Sequence, residues 1–154
     1  SNTGLLAIRA LLNSEVRVRG EQREALDLKD LLTARYRSVL FYPSADAVEL
    51  DEAMVMQDSR PIQLLVPDRT WRQARKITSR HPELRDLPRV KISKPNNSIF
   101  QLRVQSKPER MATLQAIAEG LGIIEGDVVR SKLMELYDAK IERTLRARGI
   151  LTPP

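Results

Sequence analysis

The sequence predicts an α/β fold: a mostly parallel central sheet with helices on both faces. Two observations carry that expectation. Short apolar or β-branched runs alternate along the chain with segments whose apolar residues recur every three or four positions. The two strongest runs, Val39-Leu40-Phe41-Tyr42 and Ile62-Gln63-Leu64-Leu65-Val66, each stop at a proline, Pro43 and Pro67. The first is an unbroken apolar run, which fits a buried strand, and a proline ends the ladder because it has no N–H to donate. With 154 residues, 42% hydrophobic and 30% charged, the chain has the size and composition of one folded domain.

Leu5, Leu6, Ile8, Leu11 and Leu12 predict a helix over 4–12. Val16 and Val18 alternate with Arg17 and Arg19, a short half-exposed strand closed by Gly20. Asp27 is placed to cap a helix over 28–35 carrying Leu28, Leu31 and Leu32. The strand over 39–42 follows, then a short helix over 51–56. After the strand over 62–66 and a turn over 68–70, Trp71, Ala74 and Ile77 recur every third position and start a helix that Pro82 ends. Val90 and Ile92 read as a strand, and 99–104 as another. Leu114, Ile117, Ala118 and Leu121 form a helical stripe whose end Gly122 is expected to loosen. A longer helix runs to about Arg148, with a stripe of Val129, Leu133, Leu136, Tyr137, Ile141, Thr144 and Leu145. Such a stripe is more often a core or subunit face than a ligand site, so a homodimer through the C-terminal helices is one expectation. Gly149 is placed as its cap.

Composition removes several classes of chemistry. There is no cysteine and a single histidine, which excludes disulfides, iron–sulfur clusters and zinc sites built on either residue within this sequence. The acidic run over 46–58 lacks a calcium-loop pattern, and no metal is assigned. No apolar run approaches the ~18–20 residues of a membrane span, and the N-terminus has no leader pattern; the expectation is a cytoplasmic protein, begun inside a larger one. The net charge is +6. Nine basic and two acidic residues lie between positions 69 and 94, and five acidic and no basic residues lie between 46 and 58. One positive face would suit a polyanion; an ordinary solvated surface is the alternative. There is no glycine-rich phosphate loop, no GxSxG and no HExxH. His81 stands beside Pro82 in a helix-ending turn, a poor place for a triad base.

Open α/β sheets bind ligands beyond the C-terminal ends of their strands. Tyr42-Pro43-Ser44 and the segment from Pro67 to Trp71 meet that description. Asp68 is either a helix cap or a carboxylate aimed into a crevice, where it would orient a substrate N–H or take its proton. Thr70 offers a second capping hydroxyl that would free Asp68, and Trp71 falls on the buried stripe. Arg69, Arg72 and Lys76 share the solvent side and would bind phosphates or simply be hydrated. Tyr42, at a strand end, is the best-placed aromatic for stacking a base.

Pro67-Asp68-Arg69-Thr70-Trp71-Arg72-Gln73-Ala74-Arg75-Lys76-Ile77 resembles the signature of the DTW-domain family, named for Asp-x-Thr-Trp. Five further stretches match in order: Asn2 to Leu5, Leu40 to Ser44, Leu84 to Pro88, Ser98 with Arg103, and Ala112 to Ala116. The resemblance covers nearly the whole chain. It implies one DTW-type catalytic domain over 1–154, similar to the SPOUT class with its parallel sheet and C-terminal knot. It also implies transfer of the 3-amino-3-carboxypropyl group of S-adenosylmethionine to uridine N3 in tRNA, releasing methylthioadenosine. Asp68 is then the base. Ser44, Ser98, Arg103, Thr113 and Leu114 would meet the donor, with Thr113 opening a helix whose N–H groups attract a carboxylate. Tyr42, Arg69, Arg72 and Lys76 would meet the RNA. Two departures stand out: the family's N-terminal cysteine cluster is absent from this sequence, and Gln115 stands where the family usually has glutamate. A SPOUT-like RNA methyltransferase and a non-catalytic RNA-binding module are the rival expectations.

Overall fold

A computed structural model describes residues 3–18, 26–67, 76–92 and 112–150. Contacts divide the chain into two units, 15–95 and 1–14 with 96–154. Helix α1 (Thr3–Ala10) belongs to the second unit; the first holds β1 (Arg37–Phe41), β2 (Val48–Glu49), α2 (Glu52–Met56), β3 (Ile62–Leu65), α3 (Ile77–Arg80) and β4 (Arg89–Lys91).

The strands form a four-stranded sheet in the order β2-β4-β1-β3, parallel at every pairing. The expected α/β architecture with a parallel sheet is therefore what the chain adopts. β1 is central: Val39 lies opposite Leu64 and Leu40 opposite Leu65 on one side, and Leu40 lies opposite Arg89 on the other. Val39 and Leu40 are fully buried, as their uninterrupted apolar run requires. Ile77, at the start of α3, packs with Leu65 against Leu40 and Tyr42, so the stripe expected over 71–77 does turn its last member inward. Trp71, Ala74 and the strand expected over 99–104 lie outside the described residues.

Two local expectations fail, and one strand forms that no local pattern announced. Residues 15–18 form no strand; Val16 and Val18 stay exposed, and Arg17 instead pairs with Glu15 and Asp30. The helix over 28–35 is reduced to one 3-10 turn, Lys29–Leu31, because the Asp27 carboxylate accepts from Lys29 N–H in a local turn rather than capping a longer helix. β2 was not expected: two residues carry no periodicity, and only its pairing with Val90 and Lys91 makes it a strand.

The second unit packs α1 with α4 (Thr113–Glu125) and α5 (Asp127–Ala147). Ala7, Leu114, Ala118 and Leu133 form its buried centre, flanked by Leu6, Ile117, Leu121 and Leu136. The start of α4 is capped from far away in sequence. Ala112, at the cap position, has no side-chain oxygen. Gln115 accepts from Ala112 N–H, and buried Thr3 in α1 accepts from Leu114 N–H at 3.4 Å. Thr3 thus supplies the oxygen that a serine or aspartate at position 112 would have supplied. Gln115 retains the acceptor role that a glutamate would play there.

Gly122 does not loosen α4, which runs through it to Glu125. A Cβ there would sit 2.9 Å from both Cβ and Cδ of Arg130. The bare backbone lets the Arg130 stem cross α4 and reach buried Glu119, which it binds through three hydrogen bonds of 2.8–3.0 Å. Gly126 joins the two helices at φ 106°, a left-handed conformation that glycine adopts without strain.

Two substitutions test this packing. Thr3→Val keeps the shape and removes the acceptor, and is expected to cost about 1 kcal/mol; an unchanged urea midpoint would refute the capping role. Gly122→Ala meets an atom fixed to the backbone of α5. Overpacking of about 1–3 kcal/mol outweighs the ~1 kcal/mol that alanine gains over glycine in a helix, so the melting temperature is expected to fall. A rise would show that the crossing of Arg130 does not need the glycine.

Candidate functional site

The parallel sheet sends every strand's C-terminal end to the same edge, and the loop after β1 begins there. Tyr42 N–H still donates to Val90 O at 3.0 Å, but Pro43 has no N–H and ends the pairing. The next residues turn tightly, with Ala47 N–H donating to Ser44 O at 3.1 Å, and buried Ala47 and Leu50 anchor the turn. Asp46 is left at its tip.

A cavity of about 350 Å³ opens at this end of β1. Leu40, Tyr42, Pro43 and Ile77 supply apolar wall; Ser44, Thr78 and Arg89 supply polar atoms. The Ser44 hydroxyl donates to Asp46 Oδ1 at 2.6 Å, and Arg89 donates to Asp46 Oδ2 at 2.7 Å. Those two bonds, Ser44 first and Arg89 second, hold the Asp46 carboxyl below its ordinary pKa. They also tie the loop after β1 to the first residue of β4.

A larger cavity, about 500 Å³, lies against β1, β2 and α2. Its cation, Arg37, is already engaged with α2: the guanidinium donates to Met54 O at 2.7 Å and Val55 O at 3.2 Å, carbonyls at the C-terminal end of that short helix. The smaller cavity stands where an open α/β sheet binds ligands, and it is the candidate site.

The structure brings two of the expected site residues together, Tyr42 and Ser44, on one cavity wall. Lys76 is exposed and directly precedes Ile77 and Thr78, which line it. Thr113 opens α4 in the other unit. Leu114 turns fully into that unit's core, and its N–H is donated to Thr3. Asp68, Arg69, Arg72, Ser98 and Arg103 lie outside the described residues. Sequence reasoning missed Asp46, Thr78 and Arg89. Asp46 was read only as part of an acidic run, and 43 positions separate it from Arg89, so no local pattern joins them. His81 closes α3, its N–H donating to Ile77 O, and its ring faces Glu83 at 3.4 Å. No helix among the described residues is long and apolar enough to cross a membrane.

Comparison with known proteins adds a family. The DTW-domain model matches residues 1–145. A Drosophila melanogaster protein named tRNA-uridine aminocarboxypropyltransferase 2 is 33% identical over 103 residues, covering 67% of this chain and 40% of the relative. A Macaca fascicularis protein of the same name is 27% identical over 88 residues, covering 57% of this chain and 30% of the relative. The matched segment therefore spans well under half of either relative. No solved structure matches the chain.

The Asp46 carboxyl is testable directly. Because its folded-state pKa is depressed, the Ser44–Asp46–Arg89 link is intact above the ordinary carboxylate range and dissolves only as pH falls through the depressed value. Carboxyl titration by NMR should show Ser44→Ala raising the Asp46 pKa more than Arg89→Met does. The reverse order would mean that the ion pair, not the hydroxyl, holds the carboxylate.

Proposed function

The chain belongs to the DTW-domain family, and from that premise we propose that it transfers the 3-amino-3-carboxypropyl group of S-adenosylmethionine to uridine N3 in tRNA, releasing methylthioadenosine. The observation that carries the reading is the cavity beyond the C-terminal end of β1, with its mixed wall. Its volume is at the low end of the ~300–1,000 Å³ usual for small-molecule sites. Its wall sets apolar surface beside polar atoms of Ser44, Thr78 and Arg89, which suits a ligand that joins a flat base to polar and charged groups. The relatives named for this transfer support the same assignment. So does the resemblance of Leu40 to Ser44 to the family's strand-Pro-Ser segment, since Leu40, Tyr42, Pro43 and Ser44 line the cavity.

In this reading Tyr42 and Ile77 bound the apolar part of the donor, and Ser44 belongs to its polar end. Ser98, Arg103, Thr113 and Leu114 are assigned to the donor on family resemblance alone. The donor supplies a sulfonium whose Cγ is electrophilic; as N3 bonds to Cγ, the C–S bond breaks and its electron pair stays on sulfur. Asp68 follows β3 by three positions in sequence. Its assigned role is to orient uridine N3–H and accept that proton, without which N3 is a poor nucleophile. Arg69, Arg72 and Lys76 are assigned to tRNA phosphates, and Tyr42 is also the candidate for stacking the target base. In the helical unit, exposed Lys132 and Arg143 on α5 are further cations available to a polyanion. The same premise extends to a SPOUT-like sheet closed by a C-terminal knot.

The test is incubation of total tRNA with donor labelled either at the carboxyl carbon or at the methyl carbon. Carboxyl label should enter tRNA, and methyl label should leave as methylthioadenosine. Asp68→Asn should lower incorporation by about 10²-fold or more with an unchanged melting temperature. Methyl label entering tRNA would instead make the protein a methyltransferase. No incorporation, with tRNA still bound, would make it a binding module.

A further inference from the structure

Arg89 and Asp46 form an unusual pair for a loop. Their side chains meet at 2.7 Å, yet Arg89 is 23% exposed and Asp46 65% exposed. The cation is the more enclosed partner, and it lines the cavity. Among the described residues, Arg89 gives Asp46 one of its five N–H donors. The carboxylate of Asp46 uses one oxygen for Arg89 and the other for Ser44. A carboxylate has about four lone-pair sites, so it retains acceptor capacity. The cavity wall therefore presents a guanidinium and a hydroxyl next to the apolar surface of Leu40, Tyr42 and Pro43, and both are bonded to the Asp46 carboxylate at the exposed tip of the adjoining turn.

That arrangement has a chemical complement. The α-amino-acid end of a molecule carries a carboxylate and an ammonium on the same carbon, and needs an anion acceptor and a cation acceptor within one residue's reach. A guanidinium binds carboxylate through parallel N–H donors. A neighbouring carboxylate accepts from ammonium, whose donors have no preferred plane. We propose that Arg89 and Asp46 are the subsite for the zwitterionic amino-acid end of the donor, Arg89 taking its carboxylate and Asp46 its ammonium. This rests on the reading of the donor as S-adenosylmethionine. It gives both side chains a positioning role: anchoring that end holds the three-carbon chain to be transferred, which a site gripping only the adenosine part would leave free. Ser44 acts through Asp46, fixing its orientation.

The experiment is binding calorimetry on the whole chain with three ligands: S-adenosylmethionine, its decarboxylated form, and methylthioadenosine, which lacks the amino-acid end altogether. Wild type should bind S-adenosylmethionine more tightly than methylthioadenosine. Arg89→Met should weaken S-adenosylmethionine roughly 10- to 100-fold, the range for losing hydrogen bonds to a charged group. It should leave the decarboxylated form and methylthioadenosine within about twofold. Asp46→Asn should weaken both ammonium-bearing ligands and spare methylthioadenosine. Arg89→Lys should recover part of the loss. Melting curves, with methylthioadenosine affinity as the internal control, separate misfolding from loss of the subsite.

If either variant weakens methylthioadenosine as much as S-adenosylmethionine, the pair only shapes the cavity and the proposal is overturned. It is equally overturned if neither variant changes any affinity, or if wild type binds S-adenosylmethionine no better than methylthioadenosine. In each of these cases the donor assignment survives so long as wild type binds S-adenosylmethionine. If wild type binds none of the three ligands, the donor assignment itself falls and the subsite with it.

Discussion

Burial of β1 on both edges is the constraint from which the sheet-bearing unit follows. A strand with neighbours on each side must satisfy its backbone entirely through them. Arg37 N–H donates to Pro61 O, and Leu40 N–H and Tyr42 N–H donate to Pro88 O and Val90 O. Val39 and Leu40 then have no route to solvent, and each contributes roughly 1.5–3 kcal/mol of apolar burial. Parallel pairing forces the chain to leave β1 at the same edge as its neighbours. The turn after Pro43 therefore forms at that edge, and the register that sets Arg89 opposite Leu40 brings the first residue of β4 there, with Ile77 of α3 packed against Leu40 and Tyr42. The cavity is the space left between them.

The helical unit is governed by a different constraint, the cost of burying charge. The Glu119 side chain is 6% exposed and that of Arg130 19% exposed. Desolvating such a pair consumes most of what their attraction returns, so the pair is a poor source of net stability. Its effect is positional. Arg130 can satisfy Glu119 only by crossing α4 at Gly122, and that sets where α5 lies along α4. Thr3 does the same for α1, because its oxygen is the one available to Leu114 N–H. In both cases a polar contact selects one register among several that the small apolar residues, Ala7 and Ala118, would tolerate.

The parts of the fold legible in the sequence are those whose signal is local. β1 and β3 announced themselves as apolar runs ending at Pro43 and Pro67, and α4 and α5 as stripes; the observed bounds of β1, β3 and α5 lie within two residues of expectation, while α4 continues past Gly122 to Glu125. The illegible parts depend on a partner elsewhere. β2 exists through Val90 and Lys91, the segment at 15–18 has no strand partner among the described residues, and Gly122 is explained by Arg130 rather than by its helix propensity. The candidate site divides the same way. Tyr42 and Ser44 follow from a strand ending at a proline. Arg89 follows only from the register that sets it opposite Leu40. Family resemblance pointed to residues that no local pattern could, among them Leu114, whose side chain lies in the core of the helical unit.

The Asp46–Arg89 contact joins these two levels. As a stabilising feature it is weak, because an ion pair with one partner mostly in water is screened and gains little over hydration. The loop does not need it for closure, since Ala47 and Leu50 already anchor the turn through burial. A second bond from Ser44 to the same carboxylate adds orientation more than stability. Stability therefore leaves the arrangement largely unexplained, whereas recognition explains each part: the enclosed cation, the more open anion, the bracing hydroxyl, and their position beside apolar wall at the end of a parallel strand. The same register that buries Leu40 sets Arg89 opposite it. Folding β1 correctly thus assembles the charged end of the cavity at no separate cost.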